Sequence, residues 1–168
     1  MRGYLTHHYL IALGSNVRHH AYGSPRSVLA AALASLADAG LEIVAAAPVI
    51  QSAPVGPSQH RYANSAAVIS TDLAPEDLLA LLKAAERAFG RKQRGQRWAA
   101  RVLDLDIILW SGGSFYGKFL TIPHPAMQER DFVLAPAAAI CPEWRDPISR
   151  LSIRQLHRRL TRPRAAPR

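Results

Sequence analysis

Val102-Leu103-Asp104-Leu105-Asp106-Ile107-Ile108-Leu109-Trp110 is the stretch on which the fold turns. It is aliphatic, free of glycine and proline, and reads as a largely buried strand. Side chains alternate along a strand, so Asp104 and Asp106 share one face while Leu103, Leu105 and Ile107 share the other. Upstream, Pro75 opens a helix with Glu76 and Asp77 in its first turn, where acids suit the dipole, and Gly90 ends it. On that helix Leu78, Leu81, Leu82, Ala85 and Phe89 are expected to face the core, with Lys83 and Glu86 facing elsewhere. Tyr62–Thr71 reads as a strand. Residues 41–52 read as another, with Pro48 hinting at an edge position or a bulge. Ser24-Pro25 starts an earlier helix whose inner stripe is Val28, Leu29, Leu33 and Leu36, with Gly40 as its stop. Before it, Tyr9–Leu13 is an apolar run ending in the turn Gly14-Ser15-Asn16.

The resulting order, β-α-β-β-α-β, predicts an α+β ferredoxin-like fold: an antiparallel sheet with both helices on one face. Residues 111–160 are expected to add a hairpin and one or two helices. The domain is expected over 1–160, with 161–168 a flexible basic tail.

The 168 residues suit one domain, and 49% hydrophobic with 20% charged residues excludes a disordered chain. No apolar run approaches the roughly 18 residues of a membrane span, and Met1–His8 lack the pattern of a secretory signal. Cys141 is the single cysteine, which rules out an intrachain disulfide and points to the cytoplasm. The net charge of +9 is unevenly placed: seven arginines and no acid lie between Pro147 and Arg168, leaving +2 for the rest. Most of the basicity is therefore a terminal, solvated feature, and no specific nucleic-acid or membrane partner is expected.

A second basic cluster needs a chemical explanation. Arg91, Lys92, Arg94, Arg97 and Arg101 fall within eleven residues, directly before the acidic pair. Two carboxylates on one strand face are hard oxygen ligands suited to magnesium, which takes one or two carboxylates together with substrate phosphates. Cations beside such a site suit a polyphosphate, whose charge must be neutralised during transfer. Trp98 offers a flat wall for a heterocycle. Further on, Ile122-Pro123-His124-Pro125 brackets a histidine, with Arg130 and Phe132 close behind.

Taken together, these segments resemble the 6-hydroxymethyl-7,8-dihydropterin pyrophosphokinases from about Tyr9 to Pro142. The likeness rests on Ala12–Asn16, on Pro54-Val55-Gly56 with Tyr62 and Asn64, on Arg97 to Asp106, and on the histidine motif with Arg130 and Phe132. The resemblance implies that ATP gives its terminal diphosphate to the pterin hydroxymethyl group and leaves as AMP. It implies that Asp104 and Asp106 hold two Mg2+ ions, and that Arg91 and Arg101 close over the phosphates. Glu86, Trp98, Ile107, Thr121, His124 and Arg130 are implied on the nucleotide. Ser52, Pro54, Val55, Tyr62, Asn64, Trp98 and Phe132 are implied on the pterin. A monomer is expected.

Four changes depart from the family pattern: Ala53, Gln93, the pair Ala99-Ala100, and Phe119. They bear on affinity and loop behaviour more than on the reaction. Two other readings compete. An RNA-recognition module would share the element order, but it needs aromatic residues on its middle strands, where this chain is aliphatic and acidic. An inactive scaffold would not need both aspartates, Trp98, Arg91, Arg101 and His124.

Overall fold

The computed structural model describes residues 5–52, 61–90 and 101–167. Strand β1 (His7–Ser15) is the hub of the sheet, with β4 (Tyr62–Thr71) on one side and β5 (Asp104–Trp110) on the other, both antiparallel to it. β2 (Glu42–Ala46) and β3 (Ile50–Ser52) both pair with the outer edge of β4, giving the order β2-β4-β1-β5. Helices α1 (Pro25–Asp38) and α2 (Pro75–Ala88) make the two crossovers. The order and the antiparallel pairing are those of the ferredoxin-like arrangement expected from the sequence.

Local chemistry sets the boundaries. The Ser24 hydroxyl accepts from the Ser27 amide and caps α1. Gly40 and Gly90, at φ +100° and +99°, take the left-handed conformation that stops α1 and α2. The single strand expected over 41–52 is instead two. Pairing with β4 lapses around Pro48, which has no amide to give, and resumes at Ile50.

Alternation then sorts the side chains. Tyr9, Ile11, Leu13, Leu103, Leu105 and Ile107 pack on one face against Leu29, Leu36, Leu78 and Leu82 of the two crossover helices. Each such leucine contributes about 1.5–3 kcal/mol on burial. A register shift between Leu10 and Ile11 places an extra residue in β5, so Ile108 and Leu109 both turn to the other face. There they meet Leu10, Ala66 and Val68 under α3 (Asp131–Ile140) and α4 (Ile153–Thr161).

The extension is thus a hairpin, β6 (Phe115–Tyr116) with β7 (Thr121–Ile122), then a short 3-10 turn at Met127–Glu129 and two helices. The Ile122–Pro123 peptide is cis. A reciprocal capping box between Ser152 and Gln155 starts α4. Helices α3 and α4 cover part of the second face. Among the described residues, no helix covers the remainder, over the Gly14–Asp104 end of the sheet. No helix among the described residues is long and apolar enough to cross a membrane.

Candidate active site

The open end holds a cavity of about 550 Å³ whose floor is the sheet. Gly14 on β1 pairs with Asn64 on one side and Asp104 on the other, so the two halves of the floor are built around a residue without a side chain. A β-carbon at Gly14 would come within 3.5 Å of the Asn64 amide oxygen and 3.8 Å of the Tyr62 ring. Any longer side chain there would occupy the floor.

On the β5 side, Asp104 and Asp106 reach the cavity, as their alternation requires. Arg101 Nη1 donates to Asp104 Oδ2 at 3.2 Å. The backbone of Arg101 is itself fixed: its amide donates to the Asn16 side-chain oxygen at 2.6 Å, and its carbonyl accepts from the Asn16 amide at 3.0 Å. The turn after β1 thereby anchors the arginine. The Asp106 carboxyl is pushed up to about 6, first by burial and then by the neighbouring Asp104 charge, with Glu86 adding to both and Lys83 and Arg130 opposing. Burial and a like charge beside it are what raise the Asp106 carboxyl. A divalent cation would supply opposing positive charge, so the donor set fits Mg2+.

The opposite wall comes from the segment after the cis peptide. The His124 amide is fixed by the Ile108 carbonyl, and its ring Nδ1 accepts from the Ala126 amide at 3.1 Å. Burial and the Arg130 charge lower its pKa, although Asp104 opposes them. The ring is therefore neutral at pH 7, with the proton on Nε2. Arg130 lies over the Phe132 ring, 5.6 Å from its centroid, and both line the cavity.

On the β4 side, Asn64 is buried and donates to the Ser52 hydroxyl at 2.7 Å, which fixes its amide at the floor. Tyr62 lines the same side, its phenol pKa raised by burial, lowered somewhat by Arg101 and raised again by Asp104.

The cavity thus gathers Arg101, Asp104, Asp106, His124, Arg130, Ser52, Tyr62, Asn64 and Phe132. Three expected residues do not line it. Ile107 points its side chain into the α1/α2 core, 2% exposed. Thr121 lies on β7, paired with Tyr116. Glu86, expected to face away from the core, is 1% exposed and accepts from the Leu105 amide at 2.9 Å, covering the open edge of β5. Pro54, Val55, Arg91 and Trp98 lie outside the described residues. Lys83 and Glu129 line the cavity without having been anticipated. For Lys83 the available signal was its spacing of three from Glu86, which pairs the two on a helix.

A profile of the 7,8-dihydro-6-hydroxymethylpterin-pyrophosphokinase (HPPK) family matches residues 10–142. The chain belongs to this family. It is 40% identical over 151 residues to the 2-amino-4-hydroxy-6-hydroxymethyldihydropteridine pyrophosphokinase of Synechocystis sp., covering 89% of this chain and 74% of that one. It is 41% identical over 142 residues to the pyrophosphokinase of the same name from Pseudomonas aeruginosa, covering 83% and 84%. The fold is also that of the HPPK-DHPS protein of Plasmodium falciparum: TM-score 0.70 at 13% identity, over 92% of this chain and 44% of the other. Membership makes the chain a pyrophosphokinase, a diphosphotransferase of folate biosynthesis acting on a hydroxymethyldihydropterin.

Proposed function

We propose that the cavity divides into a phosphate half and a pterin half, and that ATP and 6-hydroxymethyl-7,8-dihydropterin meet across Gly14. The pterin hydroxymethyl oxygen attacks the β-phosphorus, the bond to the α-phosphate oxygen breaks, AMP leaves, and the hydroxyl proton passes to solvent. The observation that carries this reading is convergence. Two carboxylates, two arginines and a neutral histidine face a hydrogen-bonding amide and a phenyl ring in one cavity.

The protein's part is alignment, charge neutralisation and exclusion of water. Arg101, locked to Asn16, faces the phosphates and compensates charge that develops on the transferring group. His124 Nε2–H donates to a phosphate oxygen without adding a charge that Arg130 would repel. Asn64, held by Ser52, reads the amide edge of the pterin, and Phe132 with Tyr62 supplies flat faces for its rings. Asp104 and Asp106 would hold two Mg2+ ions, which would supply positive charge to neutralise the triphosphate. Arg91 and Trp98 are assigned to the nucleotide and to both substrates, respectively. Pro54 and Val55 are assigned to the pterin. Glu86, Ile107 and Thr121 lie outside the cavity and act on the nucleotide through their neighbours or backbone.

The enzyme works in the cytoplasm as a monomer on this reading: one chain supplies both halves of the site, and its cysteine, Cys141, is buried with its thiol pushed up to about 12. The test is an assay with the reduced pterin, ATP and magnesium. AMP should form only when all three are present. ADP as the product would sink the diphosphate assignment.

A further inference from the structure

The wall that carries His124, Glu129, Arg130 and Phe132 is gripped from outside the cavity by the chain that follows Cys141. The first grip is a buried carboxylate. Asp146 is 1% exposed, and its oxygens accept from the Ile148 amide at 3.0 Å, the Ser149 amide at 3.2 Å and the Gln128 carboxamide at 2.9 Å. Burial would raise its pKa, but the hydrogen bonds from Ser149, Ile148 and Gln128 outweigh it and bring the group below the ordinary carboxylate value. An ionised carboxylate only accepts, so the NH2 of Gln128 faces it. The Asp146 backbone closes a tight loop, its amide on the Leu151 carbonyl and its carbonyl on the Arg150 amide, both at 2.9 Å. The second grip is His157 on α4, whose Nε2 donates to Asp131 Oδ1 at 3.0 Å.

Gln128 and Asp131 bracket Glu129 and Arg130, which both line the cavity. Gln128 belongs to the 3-10 turn and Asp131 opens α3, so the grips fix the backbone on either side of Arg130. The same turn supports His124, whose carbonyl accepts from the Met127 amide at 3.1 Å. Gln128 is exposed, and the side chains of His157 and Asp131 are 30% and 62% exposed. Surface contacts of this kind contribute little to stability; what they fix is position. Asp146 and His157 both lie beyond residue 142, where the family match ends.

We propose that Asp146 and His157 are positioning residues that, through Gln128 and Asp131, hold Arg130 at the phosphate half of the cavity. The proposal rests on the assignment of that half to the nucleotide. Arg130 needs such support because a guanidinium binds phosphate as a planar fork, so its orientation matters as well as its charge. It already lies over the Phe132 ring, 5.6 Å from the centroid, and the two grips fix the backbone from which it springs. The competing account is that Met127, 1% exposed in the α3/α4 core, anchors the turn by itself.

Gln128→Glu sets one carboxylate against another and breaks the first grip. Adding Asp146→Asn restores an amide–carboxylate pair with the partners exchanged and the net charge unchanged. His157→Ala breaks the second grip. Arg154→Gln is the control, because it breaks an ion pair with Glu143 in the same part of the chain. Each protein is measured for binding of inorganic triphosphate with magnesium by calorimetry, for kcat and KM for MgATP in AMP formation, and for thermal melting. Gln128→Glu should weaken triphosphate binding and raise KM for MgATP about tenfold with kcat within about threefold, well inside what misplacing a binding group can cost. His157→Ala should raise KM about threefold, and Arg154→Gln should leave it within about twofold of wild type. The exchanged pair should return to within about threefold of wild type. Should Gln128→Glu fail to fold, Gln128→Ala, a change at an exposed position, takes its place. If melting temperatures fall while triphosphate affinity and KM hold, Met127 anchors the turn alone and the proposal falls. It falls equally if the exchanged pair does not recover, because the added charge rather than the lost grip is then the cause. A wild type that forms no AMP, yet binds triphosphate with an affinity that depends on the grips, overturns the reaction assigned to the cavity and keeps the positioning role. AMP formation with an affinity indifferent to the grips does the reverse.

Discussion

The two ends of β1 and β5 carry cavities of nearly equal size and unequal chemistry. At the Gly14–Asp104 end the volume is about 550 Å³, and at the His8–Trp110 end it is about 510 Å³. The second is lined by Trp110, Trp144, Arg145, His8 and Ser111. These look like the makings of a site, but the polar groups of Trp110, Ser111 and Arg145 already have partners within the protein. Trp110 Nε1 donates to His7 at 3.1 Å while its ring stacks on Tyr9, the Ser111 hydroxyl accepts from the His8 amide, and Arg145 donates to the Arg150 carbonyl at 2.8 Å. At the first end, charges of both signs converge and the Asp106 carboxyl has its pKa raised to about 6. The difference teaches that volume does not mark a site; unspent charge does.

The largest test of that contrast removes the acidic pair. Asp104→Ala and Asp106→Ala should each lower kcat by roughly 10³-fold or more, since metal and phosphate neutralisation go together. Melting temperature should not fall, because both carboxylates sit on the open face and neither packs in either core. Activity near wild type in either variant would remove the metal assignment.

Next in size is Arg101→Ala. It should cost roughly 10²–10³-fold in kcat with a smaller change in KM for MgATP, the signature of a contact that strengthens in the transition state. A rise confined to KM would relocate Arg101 to ground-state binding. The variant also tests the anchor, because the Asn16 bonds go to its backbone and survive the substitution.

A smaller effect concerns stability. In the metal-free protein the Asp106 pKa is about 6 against an ordinary 3.8, so between those values the folded chain keeps a proton that the unfolded chain releases. Stability then falls as pH rises from about 4 to 6, and the full cost of ionising Asp106 is present above that window. Asp106→Asn removes the cost. Metal-free, it should melt several degrees above wild type at pH 7.5, at about 2–4 °C per kcal/mol for a chain of this size, and the gap should close near pH 4. A gap that is absent at pH 7.5, or that persists at pH 4, would mean the carboxylate is not under strain. Saturating Mg2+ at pH 7.5 should also shrink the gap by stabilising the wild type.

How much of this was legible follows from where each signal is written. The element order, the alternation around Asp104 and Asp106 and the stops at Gly40 and Gly90 are local, and periodicity carries them. The break at Pro48 was half legible: proline forbids a ladder bond but does not say whether the strand bends or ends. Glu86 was misplaced because helical spacing puts it off the apolar stripe, whereas Lys83 faces away from the core as expected. Only the tertiary structure shows that this side of α2 meets the exposed edge of β5, where a carboxylate can be buried on a backbone amide. Ile107 was assigned to the nucleotide by resemblance, yet its own alternation with Asp106 already sends its side chain the other way. The second cavity left no sequence signal, since His8, Trp110 and Trp144 meet only through the end of a sheet.

The smallest effect on catalysis should come from that second cavity. Trp144 is half-buried against the α3/α4 core, so Trp144→Ala removes packing there. A fully buried aromatic costs about 3–5 kcal/mol when truncated; for a partly exposed one about half is expected, which lowers the melting temperature by several degrees. Measured well below that temperature, kcat and both KM values should stay within about twofold of wild type. The reasoning is directional: the indole lies at the opposite end of β1 and β5 from Asp104, and the two cavities share no lining residue. A selective fall in kcat with an unchanged melting temperature would break the comparison, because it would couple the engaged cavity to the charged one. Unchanged turnover in a less stable protein would sharpen it, leaving chemistry at one end of the sheet and packing at the other.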